Sequence, residues 1–188
     1  MLKRILLIVI GLMTILMGYF AYMGIFNRVT VITGHEGGYE LAGLYHHGAY
    51  GQIGETFEAV IQIADSLELE DYDMASIYFN RPDQVPEDSL LTFVGVVLSS
   101  QGENVGNMDL GRLLPESIPN GEAVYADFVY RNFFSYALGA IKCFPELMKA
   151  ADAHGWDELI GFEYYNSGES TRYVLLNRHI GEIIGNRE

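Results

Sequence analysis

Among the side chains that could do chemistry, Glu163 is singled out by its surroundings. It interrupts an apolar run, with Leu159-Ile160-Gly161-Phe162 before it and Tyr164-Tyr165 after it. A carboxylate in such a strand needs a hydrogen-bond donor or a cation to hold its charge, and burial otherwise raises its pKa. By the alternation of a strand, Glu163 shares a face with Gly161 and Tyr165. A carboxylate beside a phenol can bind a cationic or polar ligand, or act as a general base on water. Tyr78 lies in an earlier apolar run, residues 75–79, and is the natural partner of Tyr165 in flanking a flat ligand. Tyr45, Tyr50, Tyr125, Tyr130 and Trp156 are further aromatic candidates, each of which could equally pack in a core.

Other chemistries find little footing. His46 and His47 are adjacent, so on a strand they point to opposite faces and cannot share a metal by simple geometry. His35, His154 and His179 have no metal-binding spacing, and Cys143, the sole cysteine, sits among Ile141, Phe144 and Leu147 as a small apolar residue. There is neither a nucleophile motif nor a phosphate loop. No cofactor and no metal are expected.

The elements that must position Glu163 begin after a distinct N-terminal stretch. Residues 5–26 carry no charge, long enough at roughly 1.5 Å per residue to cross a hydrocarbon core of about 30 Å. Tyr19, Phe20 and Tyr22, at its end, suit a headgroup belt better than a cleavage site. Residues 1–28 therefore read as a single-pass membrane anchor. Lys3 and Arg4 before the span outnumber Arg28 after it, which puts the following domain on the extracytoplasmic side. Beyond the anchor stand all 25 acidic residues against eight of the 11 basic ones, an excess that repels phosphate backbones and excludes nucleic acid as a partner.

Glycines at 34, 37 and 38 mark residues 29–38 as a tether. A strand over 40–45, a helix over 52–67 and strands over 75–79 and 91–98 then form a β-α-β-β unit. After a polar loop from 99 to about 117 the order recurs, with a strand over 122–129, a helix over 133–153 and strands over 159–165 and 171–176. An offset of 87 residues superposes Ser76-Ile77-Tyr78 on Glu163-Tyr164-Tyr165. The fold class is therefore α+β: two β-α-β-β units about a pseudo-twofold axis, in one domain spanning 39–178 with a tail at 179–188. Neither unit can bury a sheet face alone, so they pair and leave a groove between them. The domain is expected to fold without residues 1–28.

Residues in this order resemble a known family. Tyr45-His46-His47-Gly48-Ala49-Tyr50 before a helix, Ile77-Tyr78-Phe79-Asn80-Arg81-Pro82 and Val85-Pro86, then Ile118-Pro119-Asn120-Gly121-Glu122-Ala123 and Gly161-Phe162-Glu163-Tyr164-Tyr165, look like the gyrase-inhibitor-like small-molecule-binding domain. The anchor, with Val94-Gly95-Val96-Val97-Leu98-Ser99, is most similar to its membrane-anchored branch, represented by a testis-expressed endoplasmic-reticulum receptor of animals. The resemblance implies that Glu163 is the pocket glutamate and that the partner is a small hydrophobic or cationic ligand. It also leaves open a hydrolase that opens strained electrophilic rings with Glu163 and Tyr165. A third possibility is a membrane-tethered scaffold for an unidentified protein partner.

Overall fold

A computed structural model describes residues 2–100, 109–166 and 168–178. Much of the expected 99–117 loop and the whole expected tail at 179–188, His179 included, lie outside the described residues.

The apolar N-terminal stretch forms one helix, α1 (Leu2–Tyr22), with no buried residue. Beyond it, eight strands make one antiparallel sheet: β1 (Ile32–Glu36), β2 (Tyr39–His47), β3 (Met74–Tyr78), β4 (Leu91–Ser100), β5 (Leu114–Ile118), β6 (Gly121–Val129), β7 (Leu159–Asn166) and β8 (Ser170–Asn177). Helix α2 (Gly54–Ser66) follows β2, and α3 (Phe134–His154) follows β6.

The sheet order is β1-β6-β8-β7-β3-β4-β2-β5, and exchanging each strand for its counterpart in the other half reverses that order unchanged. The axis can be placed to the residue. Ser76 and Glu163, equated by the offset of 87, lie directly opposite each other in the β3–β7 ladder. Two residues can be both equivalent and adjacent only where a twofold axis passes between them. The fold is thus α+β, two β-α-β-β units joined along β3 and β7 and preceded by an apolar helix.

Two segments differ from expectation. The supposed tether at 29–38 contains β1, which pairs with β6 of the other half, and the supposed loop contains β5, which pairs with β2. Each half lends its first strand to its partner. Such five-residue strands, Ile-Thr-Gly-His-Glu and Leu-Pro-Glu-Ser-Ile, hold too little apolar periodicity to be seen locally and exist because a distant edge satisfies their backbone.

Both helices cover the sheet face that carries Ser76 and Glu163. Helix α3 buries Gly139, Cys143, Leu147 and Ala151, four residues apart and so on one stripe, against Val124, Ala126 and Tyr173. A Cβ at Gly139 would stand 2.4 Å from the Tyr173 hydroxyl, which itself donates to the Tyr136 carbonyl at 2.8 Å. Glycine is what lets α3 lie this close. Helix α2 places Val60, Ile63 and Ala64 against Ala42, Val94 and Val96. On the other face Leu41, Ile77, Phe93, Ile118 and Phe162 form a second core. Tyr39 of β2 stacks there on Tyr164 of β7 at 5.1 Å, although two strands separate them in the sheet, so the sheet curls to close over that face.

The apolar helix α1 is joined to the domain more firmly than the sequence suggests. Met23 is buried, and the Lys142 ammonium donates to the carbonyls of Gly24, Ile25 and Asn27 at 2.9, 2.6 and 2.5 Å. These carbonyls belong to the turn that follows α1, which Lys142 thereby ties to α3. Deleting residues 1–18 is therefore expected to leave the thermal stability of the domain unchanged. Deleting residues 1–28 removes Met23 and strips Lys142 of its acceptors, at an expected cost of about 1–3 kcal/mol. Equal melting of the two truncated forms would show that the exit turn contributes nothing.

Candidate ligand-binding site

Between α2 and α3, over the seam of β3 and β7, lies a cavity of about 1250 Å³, ample for a drug-sized molecule. Gly161, Glu163 and Tyr165 of β7 and Tyr78 of β3 form its floor, as alternation along the strands requires. Ile53 and Phe57 of the α2 side and Tyr136 and Phe144 of α3 wall it.

Glu163 is only 4% exposed, on a central strand. Its Oε2 accepts a hydrogen bond from the Tyr165 hydroxyl at 2.7 Å, and the Tyr78 hydroxyl bonds the same carboxyl. Ser76 Oγ lies 3.3 Å from the Tyr165 hydroxyl. Among the described residues no lysine or arginine forms an ion pair with Glu163. Burial pushes its pKa up to about 7, against the lowering effect of the two phenols. The phenols are themselves pushed well above their usual value, first by burial and then by the Glu163 charge, so they remain donors.

The aromatic setting repeats about the pseudo-twofold axis. Tyr165 is wedged edge-on between Phe57 at 5.4 Å and Tyr136 at 5.3 Å, and Tyr78 between Tyr50 at 4.9 Å and Phe144 at 6.2 Å. Tyr50 is further held by a hydrogen bond from its hydroxyl to the Asn80 carbonyl. Rings fixed in this manner give apolar contact without the entropy cost of ordering them on binding.

Of the candidates, Glu163, Tyr165, Tyr78, Tyr50 and Tyr130 meet at this cavity. Three others do not. Tyr45 packs against Phe79 and Phe93 on the opposite face, its hydroxyl donating to Glu116. Tyr125 lies on that face too, under the Arg172 guanidinium at 4.8 Å. Trp156 stacks on His154 at the far end of α3, 4.9 Å away. Residue parity on β2 and β6 puts Tyr45 and Tyr125 on the helix-free side, away from Glu163. The wall residues Phe57, Tyr136 and Phe144 escaped notice as site residues because a helical apolar stripe reads as core. Each lies next to Tyr78 or Tyr165 only once helix and sheet are packed.

Cys143 is buried and its thiol is pushed up to about 11 by burial, a packing residue and not a nucleophile. His46 ties β2 to α2, its ring nitrogens 3.1 Å from Thr56 Oγ1 and 3.2 Å from the Ala49 carbonyl. A second, smaller cavity of about 430 Å³ is polar and lies beside Arg172. The positive charge there is already met by Glu36 and Asp127, each at 2.7 Å, which leaves little to attract an anion.

No family model matches the sequence, and no curated protein does. Solved structures do resemble the fold. An integron cassette protein from the mobile metagenome of Vibrio cholerae matches with a TM-score of 0.50 at 12% identity, over 79% of this chain and 97% of that one. An uncharacterized conserved protein from Listeria innocua matches with a TM-score of 0.50 at 11% identity, over 79% of this chain and 92% of the other. At such identities the likeness is one of architecture, and it extends across nearly the whole of both relatives.

Proposed function

We propose that this chain is a membrane-tethered binding protein that holds an amphipathic or aromatic cation in the groove between its two halves. The observation that carries the reading is the buried Glu163 carboxyl at the floor of a large aromatic cavity, bonded by two phenols and, among the described residues, ion-paired with no lysine or arginine. Leaving such a group unpaired is costly, and a ligand bringing a positive charge removes that cost. Phenol and phenyl rings around it also attract cations through their faces. The tether is α1, whose length and apolarity suit one membrane crossing. The charge bias of Lys3 and Arg4 over Arg28 favours an extracytoplasmic domain. Binding would then serve sequestration or sensing at the membrane, with any output passing through a protein partner.

A second reading is favoured by the same carboxyl. With its pKa near 7, Glu163 is matched to accept a proton from water near neutral pH, with Tyr165 at 2.7 Å orienting a strained electrophilic substrate. Catalytic turnover of such a substrate, as against its stoichiometric retention, separates a hydrolase from a carrier.

Titration with a permanently cationic aromatic dye and a neutral dye of equal size tests the first reading. Glu163→Gln is expected to weaken the cation by about 1.5–3 kcal/mol, the range for a hydrogen bond to a charged group, and to leave the neutral dye nearly unaffected. Equal losses for both dyes would mean that the carboxylate does not select charge.

A further inference from the structure

Three large side chains of the cavity mouth point outward with nothing over them. Phe133 is 76% exposed, Phe134 66% and Ile141 72%, and all three also line the cavity that holds Glu163. An exposed apolar cluster at a pocket rim calls for an apolar partner.

The anchor indicates which. Asn132, the residue before Phe133, donates from Nδ2 to the Tyr19 hydroxyl at 3.1 Å and lies 3.3 Å from the Met23 sulfur. Arg131 sits over the Tyr22 ring at 5.3 Å. The start of α3 is therefore level with the last turn of α1. If the uncharged residues 5–26 fill the hydrocarbon core, at roughly 1.5 Å each, that last turn falls at the headgroup boundary. Phe133 and Phe134 fall there with it, beside Tyr22 and Phe26, which are 60% and 63% exposed. The start of α3 is also locked in place. The Asn132 side-chain oxygen accepts from the Phe134 N–H at 3.0 Å, and buried Ser135 accepts from the N–H groups of Arg131 and Asn132 at 2.9 and 3.2 Å. Arg28, Arg131 and Lys142 gather at this end of an otherwise acidic domain, as suits a surface that meets lipid phosphates.

We propose that Phe133, Phe134 and Ile141 insert at the lipid boundary, so that the Glu163 cavity opens onto the bilayer and takes its ligand from the membrane. The ligand class is thereby narrowed to amphipathic cations that partition into lipid. This rests on α1 spanning a membrane, and the two claims can be tested apart.

The full chain is reconstituted into phosphatidylcholine vesicles, with Trp156→Phe to remove the native tryptophan. A single reporter is then placed by Phe134→Trp, by Ile141→Trp or, as a remote control on edge strand β5, by Leu114→Trp. Lipids brominated near the top of the acyl chain should quench the first two by roughly half or more and leave the third unquenched, as for residues seated at the interface. Vesicle-bound protein whose reporters at 134 and 141 are quenched no more than the one at 114 overturns the inference while sparing the anchor. Failure of the chain to float with the vesicles overturns the anchor, and the inference with it.

Discussion

On raising the pH from about 4.5 to about 8, the folded protein is expected to lose about 3 kcal/mol of stability that the Glu163→Gln variant keeps. In the fold the Glu163 carboxyl holds its proton until about pH 7, whereas an ordinary glutamate releases it near 4.5. Between those two values the folded state binds one proton more than the unfolded state, and stability falls as pH rises. Below the lower value both states are protonated and the contribution is complete; above the upper one both are ionised and the loss is complete. Glu116, pushed up first by burial and also by Glu40, adds a trend of the same sign, as does the general acidity of the domain. The difference between wild type and variant isolates Glu163. Gln keeps the shape and an acceptor for the Tyr165 hydroxyl, so the variant should melt higher at about pH 8, by roughly 6–12 °C for a chain of this size. Thermal melts of the full chain in a non-ionic detergent check this. Parallel pH profiles would mean that Glu163 is either solvated or paired.

Glu163 stood out because a carboxylate in an apolar strand is costly, and that cost is a local property. The β-α-β-β repeats were legible for the same reason, since periods of two and of about 3.6 residues need only a short window. The offset of 87 equated Ser76 with Glu163, and the β3–β7 ladder then placed the axis between them. What escaped was non-local. Strands β1 and β5 owe their existence to edges in the opposite half. Tyr45 and Tyr125, candidates by residue type alone, face the other core; alternation sorts residues into two faces without saying which one the helices cover. The contact of the turn after α1 with Lys142 joins residues more than a hundred positions apart, and no motif announces it.

A buried carboxylate that seeks a cation, as proposed for Glu163, must show itself in the pH dependence of affinity. A quaternary ammonium dye cannot itself titrate, so any change in its binding reports on the protein. If the ionised carboxylate is the binding form and its pKa in the empty site is about 7, the cation must first displace a proton. Affinity should then fall below neutrality towards the level of the Gln variant, by roughly 6- to 30-fold from pH 7 to pH 5, and level off above pH 8. A neutral dye of the same size should show little change. In Glu163→Gln the cation should bind weakly, with a flat profile. Equal binding of the ammonium dye by the wild-type protein at pH 5 and pH 8, or a pH dependence kept by the Gln variant, would mean that Glu163 does not bind the cation.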